Sequence, residues 1–408
     1  MKIESKQSAL KVGVLFGGVS PEHEVSVISS MQAMAALDRE KYHPVPVYIA
    51  KDGRWYTGDE LSDLERYSDL VSLLETATRV MPVKGELGKL LLMPVEQKRF
   101  GIRRPESISV DVVLVGLHGG AGENGSIQGL LESQNVPYTG SGVFASALGM
   151  DKVITKQICR AEGVPVVDYM AFRESKWAGS EEAVLERCIE SLGLPLIVKP
   201  ARLGSSIGIS KAATREELDR AIEEAFRYDD KVIVEQAVQN LIELNCSVLG
   251  TADDAQASVL EQPVSSDQLL TFGDKYMRGS SGKGKTPDAT EGMASLERLI
   301  PAPVADGISE RARAIAVRIF QLFECAGVAR VDLMMNEETG QLYFNEINTI
   351  PGSFSFYLWE PTGVPFSELL DRMIQIALQN HFDSNRRVTT YDVNLLSAKD
   401  LKGLKISK

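Results

Sequence analysis

The chain has 408 residues, 44% of them hydrophobic and 25% charged, which suits two or three soluble globular domains with sizeable cores. Its 56 acidic residues outnumber its 44 lysines and arginines, giving a formal net charge of −12. That balance argues against a nucleic-acid backbone or an anionic membrane as the main partner, and no apolar run reaches the ~20 residues of a membrane span. The opening MKIESKQSALKVG has no apolar signal region, so a cytosolic location is expected. Cys159, Cys188, Cys246 and Cys325 form no CxxC pair and read as buried free thiols of a reducing compartment.

In chain order, KVGVLF (11–16) reads as a buried strand and Gly17-Gly18 as a turn. Ser20-Pro21 suits a helix start, followed by apolar residues Val25, Ile28, Met31 and Met34 at helical spacing. A second strand at 44–49 and an apolar run from Val110 to Leu117, ending at His118-Gly119-Gly120, complete a strand–helix alternation. Such alternation predicts an α/β fold with a doubly wound parallel sheet, whose ligands gather at the carboxyl ends of strands, here the Gly17 and His118 turns. A second region starts near Asp151, with a helix over 151–163, strand LPLIVKP (194–200), a Gly/Ser turn, a helix over 214–227 and strand VIVEQAV (232–238). A third region, 239–384, carries a hairpin of VARVDLMM (328–335) and QLYFNEIN (341–348), then a helix near 366–380. The basic loop RGSSGKGKT (278–286) reads either as a mobile phosphate-facing loop or as solvated chain. Residues 385–408 read as a peripheral tail.

The strongest local chemistry is on the hairpin. Glu346 and Asn348 share one face of a strand, and Asp332 lies across a short turn. Their apolar neighbours, including Val331, Leu333, Phe344 and Ile347, imply burial, and buried carboxylates need a counter-charge. Oxygen ligands of this kind suit Mg²⁺. Arg330, two residues from Asp332, projects to the same face. It serves either to stabilise developing negative charge or simply to pair with Asp332. Lys199 ends a strand before Gly204-Ser205-Ser206-Ile207-Gly208, where backbone N–H groups and hydroxyls can meet phosphate oxygens; alone, this is equally an ordinary turn. For Glu235, at the end of an apolar strand, an internal salt bridge is the favoured reading without further context.

Taken together, FGGVSPEHEVS (16–26), LHGGAGENGSIQG (117–129), YTGSGVFASALGMDK (138–152), VKPARLGSSIGIS (198–210), ARVD (329–332) and NEINTIPG (345–352) resemble the D-alanine–D-alanine ligase family in order and spacing. The resemblance covers most of residues 11–380. It implies an N-terminal α/β domain (1–150), then a two-part ATP-grasp fold, α+β in its last part: a small central domain (151–238) and a C-terminal domain (239–384). ATP would be gripped between the last two. It implies ATP contacts by Lys152, Lys199, Ser205, Ser206, Glu235, Val238, Glu243 and Lys275, and two Mg²⁺ (or Mn²⁺) on Asp332, Glu346 and Asn348. Glu22 would hold the first substrate's ammonium group, in a hydrogen-bonded set with Ser205 and Tyr276. Arg330 and Gly352 would form an oxyanion pocket, and His118 would lie near the first substrate. D-alanine would be that substrate, and a homodimer is the implied assembly. The segment after Gly352 (SFSFY, then Leu358-Trp359) is shorter than the family pattern, and LLTFGD before Lys275-Tyr276 also departs from it. Both departures fall on the acceptor side and the lid, and Ser355 is the candidate replacement contact for the acceptor carboxylate. D-serine, D-lactate or another amino acid are the alternative acceptors, and an ATP-binding protein without turnover is the alternative of another class.

Overall fold

The computed structural model describes residues 9–95, 106–204, 206–264 and 298–391. Ser205, Lys275, Tyr276 and the 278–286 loop lie outside these residues.

Strand β1 (Leu10–Gly17) is buried on both faces over its last six residues, as its unbroken apolar run requires. It pairs in parallel with β2 (Tyr42–Ile49) on one side and β7 (Val112–Val115) on the other. Beyond β2 the sheet continues through β3 (Trp55–Thr57), β4 (Thr78–Lys84), β5 (Leu90–Pro94) and β6 (Ile108–Val110), each antiparallel to its predecessor. The parallel arrangement expected of the whole sheet is thus confined to three of seven strands. Antiparallel neighbours do not depend on a helical crossover, so strand–helix alternation is no guide to this extension. Helix α1 (His23–Ala36) packs on β1. Ser20 orders its entry by accepting the Glu22 N–H at 3.1 Å, and Glu22 occupies the cap position without making a side-chain cap bond.

Helices α2 (Leu70–Thr76), α3 (Ser126–Ser133) and α4 (Val143–Met150) lead to α5 (Lys152–Ala161), whose start is fixed by the Asp151 carboxylate accepting from the Val153 and Ile154 amides. A four-stranded antiparallel sheet follows: β8 (Tyr169–Arg173), β9 (Leu196–Pro200), β10 (Ser210–Ala212) and β11 (Lys231–Gln236), in the order β10-β9-β11-β8. Helix α6 (Glu174–Trp177) follows β8. Helices α7 (Glu181–Leu192) and α8 (Arg215–Phe226) bury Leu185, Leu218 and Ile222 in one core with Leu196, Val198 and Val232 of the sheet. A capping box between Thr214 and Glu217 starts α8 where the sequence places it.

The last sheet orders β14 (Arg298–Leu299), β13 (Ala255–Pro263), β12 (Leu241–Gly250), β15 (Gly327–Asn336) and β16 (Leu342–Asn348), all antiparallel. Helix α9 (Asp306–Leu322) covers it with Ala312, Ala316, Ile319 and Phe320. Helices α10 (Phe356–Trp359) and α11 (Phe366–Asn385) then return to the first sheet: Leu369, Leu370, Met373 and Ile374 share one core with Val14 and Phe16. Each such side chain contributes roughly 1.5–3 kcal/mol on burial. An exposed ion pair such as Lys41–Asp371, at 3.0 Å, adds under about 1 kcal/mol, so apolar burial holds this return. The carboxyl end of the hairpin is thereby carried to the carboxyl ends of β1 and β7. All four cysteines are buried and unbonded. No helix among the described residues is long and apolar enough to cross a membrane.

Candidate active site

The β15–β16 register sets Asp332 opposite Glu346 and Arg330 opposite Asn348, with a bulge following Asp332. The three oxygen-bearing side chains predicted on the hairpin therefore meet on one face. The Asn348 amide donates to Asp332 Oδ2 at 2.9 Å. Arg330 grips the same carboxylate with two bonds of 2.7 and 2.8 Å, so the pairing with Asp332 anticipated as the simpler alternative is present. Lys152 reaches Glu346 Oε2 at 3.0 Å from the first turn of α5.

Beside this cluster lies a buried chain of charges. Lys199, at the end of β9, pairs with Glu235 Oε2 at 2.7 Å and donates to Asn345 Oδ1 at 3.0 Å. The sheet register explains the pair: Lys199 stands opposite Ile233, so Glu235 is its diagonal neighbour on the same face. Lys156, one helical turn beyond Lys152, approaches Glu235 Oε1 at 2.9 Å and donates to the Phe344 carbonyl at 3.2 Å. Burial alone would raise the Glu235 carboxyl; the ammonium groups of Lys156 and Lys199 reverse this and hold it at about 2. The internal salt bridge favoured for Glu235 is real, and it has two lysines. Lys156 carried no sequence signal beyond its i+4 spacing from Lys152. Val238 is half-buried in the turn after β11, and Glu243 lies on β12 close enough for its charge to act on Lys199. Ser206 adopts a left-handed conformation (φ 58°) in the Gly/Ser turn.

The N-terminal sheet supplies the other wall. A Cβ on Gly119 (φ +67°) would stand 2.5 Å from Glu22 Oε2, and one on Gly204 would stand 3.9 Å from the same oxygen. The Glu22 carboxylate thus lies between the two glycine turns, which requires Gly119 to lack a side chain. The sequence reading missed Glu123, within the same Gly-rich motif. It accepts the Gly119 N–H at 3.0 Å, and burial together with the Glu22 charge pushes its carboxyl up to about 8. An acid inside a glycine-rich strand-end turn was the available signal. His118 is buried and bonded within the protein through both ring nitrogens, Nδ1 to the Ile350 carbonyl (2.8 Å) and Nε2 to Ser29 Oγ (3.0 Å). Burial lowers its pKa, so the ring is neutral.

The segment after Gly352 is compact and unusual. Ser353, Phe354 and Ser355 are consecutively left-handed (φ 51°, 53° and 53°), at a cost of roughly 1–2 kcal/mol each. All three are buried, and the Ser353 and Ser355 hydroxyls have no hydrogen-bond partner among the described residues. Trp359 anchors the segment by donating to Ser247 Oγ at 2.9 Å on β12, where Ser247 stands opposite Arg330. Tyr357 lies under the Arg298 guanidinium (4.1 Å), which pairs with Glu261 at 2.8 Å. These anchors bring the short segment against the sheet that carries Arg330.

A mixed α/β layer joined to two antiparallel sheets, with lysines and carboxylates between them, is the ATP-grasp arrangement, and solved structures of that fold superpose on nearly the whole chain. A D-alanine–D-alanine ligase from Coxiella burnetii aligns over 97% of this chain and 99% of its own, with TM-score 0.77 and 28% identity. The VanG D-Ala:D-Ser ligase from Enterococcus faecalis aligns over 91% of this chain and 100% of its own, with TM-score 0.74 and 29% identity. In sequence, residues 11–141 match the D-ala D-ala ligase N-terminus and residues 158–375 match the D-ala D-ala ligase C-terminus. A D-alanine–D-alanine ligase of Thermosipho africanus is 38% identical over 390 residues, 96% of this chain and 99% of that protein. One from Caldicellulosiruptor bescii is 38% identical over 378 residues, 91% and 96% respectively. The chain belongs to the D-alanine–D-alanine ligase family.

Proposed function

We propose that the chain is an ATP-dependent ligase that joins two D-alanines into D-alanyl-D-alanine for peptidoglycan precursor synthesis. The observation that carries this is the convergence, in one cleft, of the Asp332–Glu346 pair, Lys152 and Lys199, with the Glu22 carboxylate across from them. A carboxylate oxygen of the first D-alanine attacks the γ-phosphorus of ATP, and the bond to the β,γ-bridging oxygen breaks, releasing ADP. The amine nitrogen of the second D-alanine then attacks the carbonyl carbon of the acyl phosphate. The tetrahedral intermediate loses phosphate and the amine loses a proton.

In this reading Lys152, Lys199, Ser205, Ser206 and Lys275 contact the phosphates, while Glu235, Val238 and Glu243 surround adenine and ribose. Glu22 pairs with the first ammonium group, in a set with Ser205 and Tyr276. Arg330 and the Gly352 amide face the oxyanion, where fixed donors count most. Opposed carboxylates on Asp332 and Glu346 with the Asn348 amide are hard oxygen donors that fit two Mg²⁺ (or Mn²⁺), which would offset charge on the phosphates. His118 acts through Ile350 and Ser29, next to the first substrate. The buried Ser355 hydroxyl, without a partner among the described residues, is suited to the acceptor carboxylate. A homodimer and a cytosolic location belong to the same proposal and are checked by sedimentation and fractionation.

The shortened segment after Gly352, together with the likeness to a D-Ala:D-Ser ligase, supports D-serine as the second reading for the acceptor. The test is ADP release with ATP and Mg²⁺ against a panel of D- and L-amino acids, with products identified by mass. Release with D-alanine alone and formation of the dipeptide establishes the first reading; release that requires D-serine establishes the second; no amino-acid-dependent release refutes both.

A further inference from the structure

Ser29, on the buried face of α1, is 1% exposed and enters the reading above solely as a partner of His118. Its hydroxyl joins three separate stretches of chain. Oγ accepts the Ser353 N–H at 2.9 Å, and His118 Nε2 lies 3.0 Å away. An oxygen already accepting from an amide directs its own proton to the available lone pair, here that of Nε2. The His118 proton is then on Nδ1, where it donates to the Ile350 carbonyl at 2.8 Å. The circuit closes on itself: Ile350 C=O and Ser353 N–H bracket Pro351 and Gly352, and both ends are tied to the N-terminal wall. Immediately beyond the bracket come the three left-handed residues that carry the orphan Ser353 and Ser355 hydroxyls. A backbone in that conformation persists only where its surroundings over-determine it.

We propose that Ser29 is a positioning residue for the acceptor half of the reaction, holding the Gly352 amide and the Ser353–Ser355 turn in register through His118. The inference rests on the ligase reading of the site. Removal of the hydroxyl strands the buried Ser353 amide and takes the donor away from His118 Nε2, while the lysine-lined side is untouched.

The test compares S29A and S29T with the wild-type full-length chain in steady-state ADP release. S29A is expected to raise the Michaelis constant for the second D-alanine on the order of ten-fold, the equivalent of one lost buried hydrogen bond, with the constant for ATP unchanged. S29T, which keeps the hydroxyl, is expected to restore it. Ring ¹⁵N spectra provide a readout that does not depend on turnover or on S29T packing well: His118 shows the Nδ1–H tautomer, which the Ile350 carbonyl enforces, and its unprotonated Nε2 resonance shifts in S29A as it loses the Ser29 donor. Equal rises in both constants, or a lower melting temperature with unchanged kinetics, would make Ser29 merely structural. An Nε2–H tautomer in the wild type would overturn the circuit. A wild type without D-alanine-dependent release removes the ligase reading and this inference together; an active wild type with an indifferent S29A removes the inference alone.

Discussion

The two sides of the cleft are built by opposite means. On the proposed nucleotide side, charge is fixed by regular structure: Lys199 and Glu235 meet because their strands pair in one register, and Lys152 and Lys156 share a face because they are one helical turn apart. Each buried charge has a partner. On the proposed acceptor side, a short left-handed turn carries buried hydroxyls without partners among the described residues, held by anchors from three elements through Ser29, His118 and Trp359. Binding a phosphate needs an array of fixed cations, which sheets and helices supply at low conformational cost. Distinguishing one small amino acid from another needs polar groups left unsatisfied until the right ligand arrives, and irregular backbone is where those can be stored.

Breaking the charged side gives the largest effect. Glu346→Ala removes one of the two opposed carboxylates and strands Lys152. ADP release in saturating Mg²⁺ is expected to fall by on the order of 10²–10³-fold or more. A near-normal rate would remove Glu346 from the proposed metal site.

Glu235→Gln tests the same side through stability. The carboxyl titrates at about 2 in the folded chain, against 4.5 ordinarily, so its contribution is full above pH 4.5 and is lost as pH falls towards 2. The variant lacks that contribution at neutral pH and leaves Lys156 and Lys199 uncompensated, a loss of roughly 3 kcal/mol in denaturant unfolding. The gap to wild type should narrow between pH 4.5 and 2. A gap independent of pH over that window would mean that the lysines do not hold Glu235 ionised.

On the proposed acceptor side, Ser355→Ala should leave the fold intact, since the hydroxyl it removes has no partner among the described residues. The Michaelis constant for the acceptor is expected to rise roughly ten-fold, the equivalent of one hydrogen bond to a charged group, with that for ATP unchanged. An unchanged acceptor constant takes Ser355 out of the pocket.

The same contrast explains what was legible in the sequence. The hairpin was predicted at 328–335 and 341–348 and runs Gly327–Asn336 and Leu342–Asn348, because apolar alternation and a polar turn mark a buried antiparallel pair. The helix expected over 214–227 runs Arg215–Phe226, and the Thr214–Glu217 capping box fixes its start. The four antiparallel strands between Trp55 and Val110 carry no comparable pattern, being three to seven residues long and half exposed. Lys156, Glu123 and Ser29 went unread for a different reason. Each owes its role to a neighbour in another stretch of chain, such as the 324 residues separating Ser29 from Ser353, and periodicity within one element does not reveal such a partner.

Glu123 allows the finest test of the division. Its carboxyl, raised to about 8 by burial and by the Glu22 charge, is protonated in the folded chain at pH 7 but ionised in the unfolded chain above 4.5. The folded state therefore binds the extra proton, and stability drains away as pH rises from 4.5 to 8. Glu123→Gln, a permanently neutral side chain of the same shape, keeps the rate at pH 7 and removes that slope. Above pH 8 the wild type gains a negative charge beside Glu22. The Michaelis constant for the first D-alanine is then expected to drift with pH in the wild type but not in the variant, while the constant for ATP follows the same course in both. Parallel pH profiles for D-alanine would mean that Glu123 is already ionised at neutrality and that the Gly119 amide, rather than a proton, compensates it.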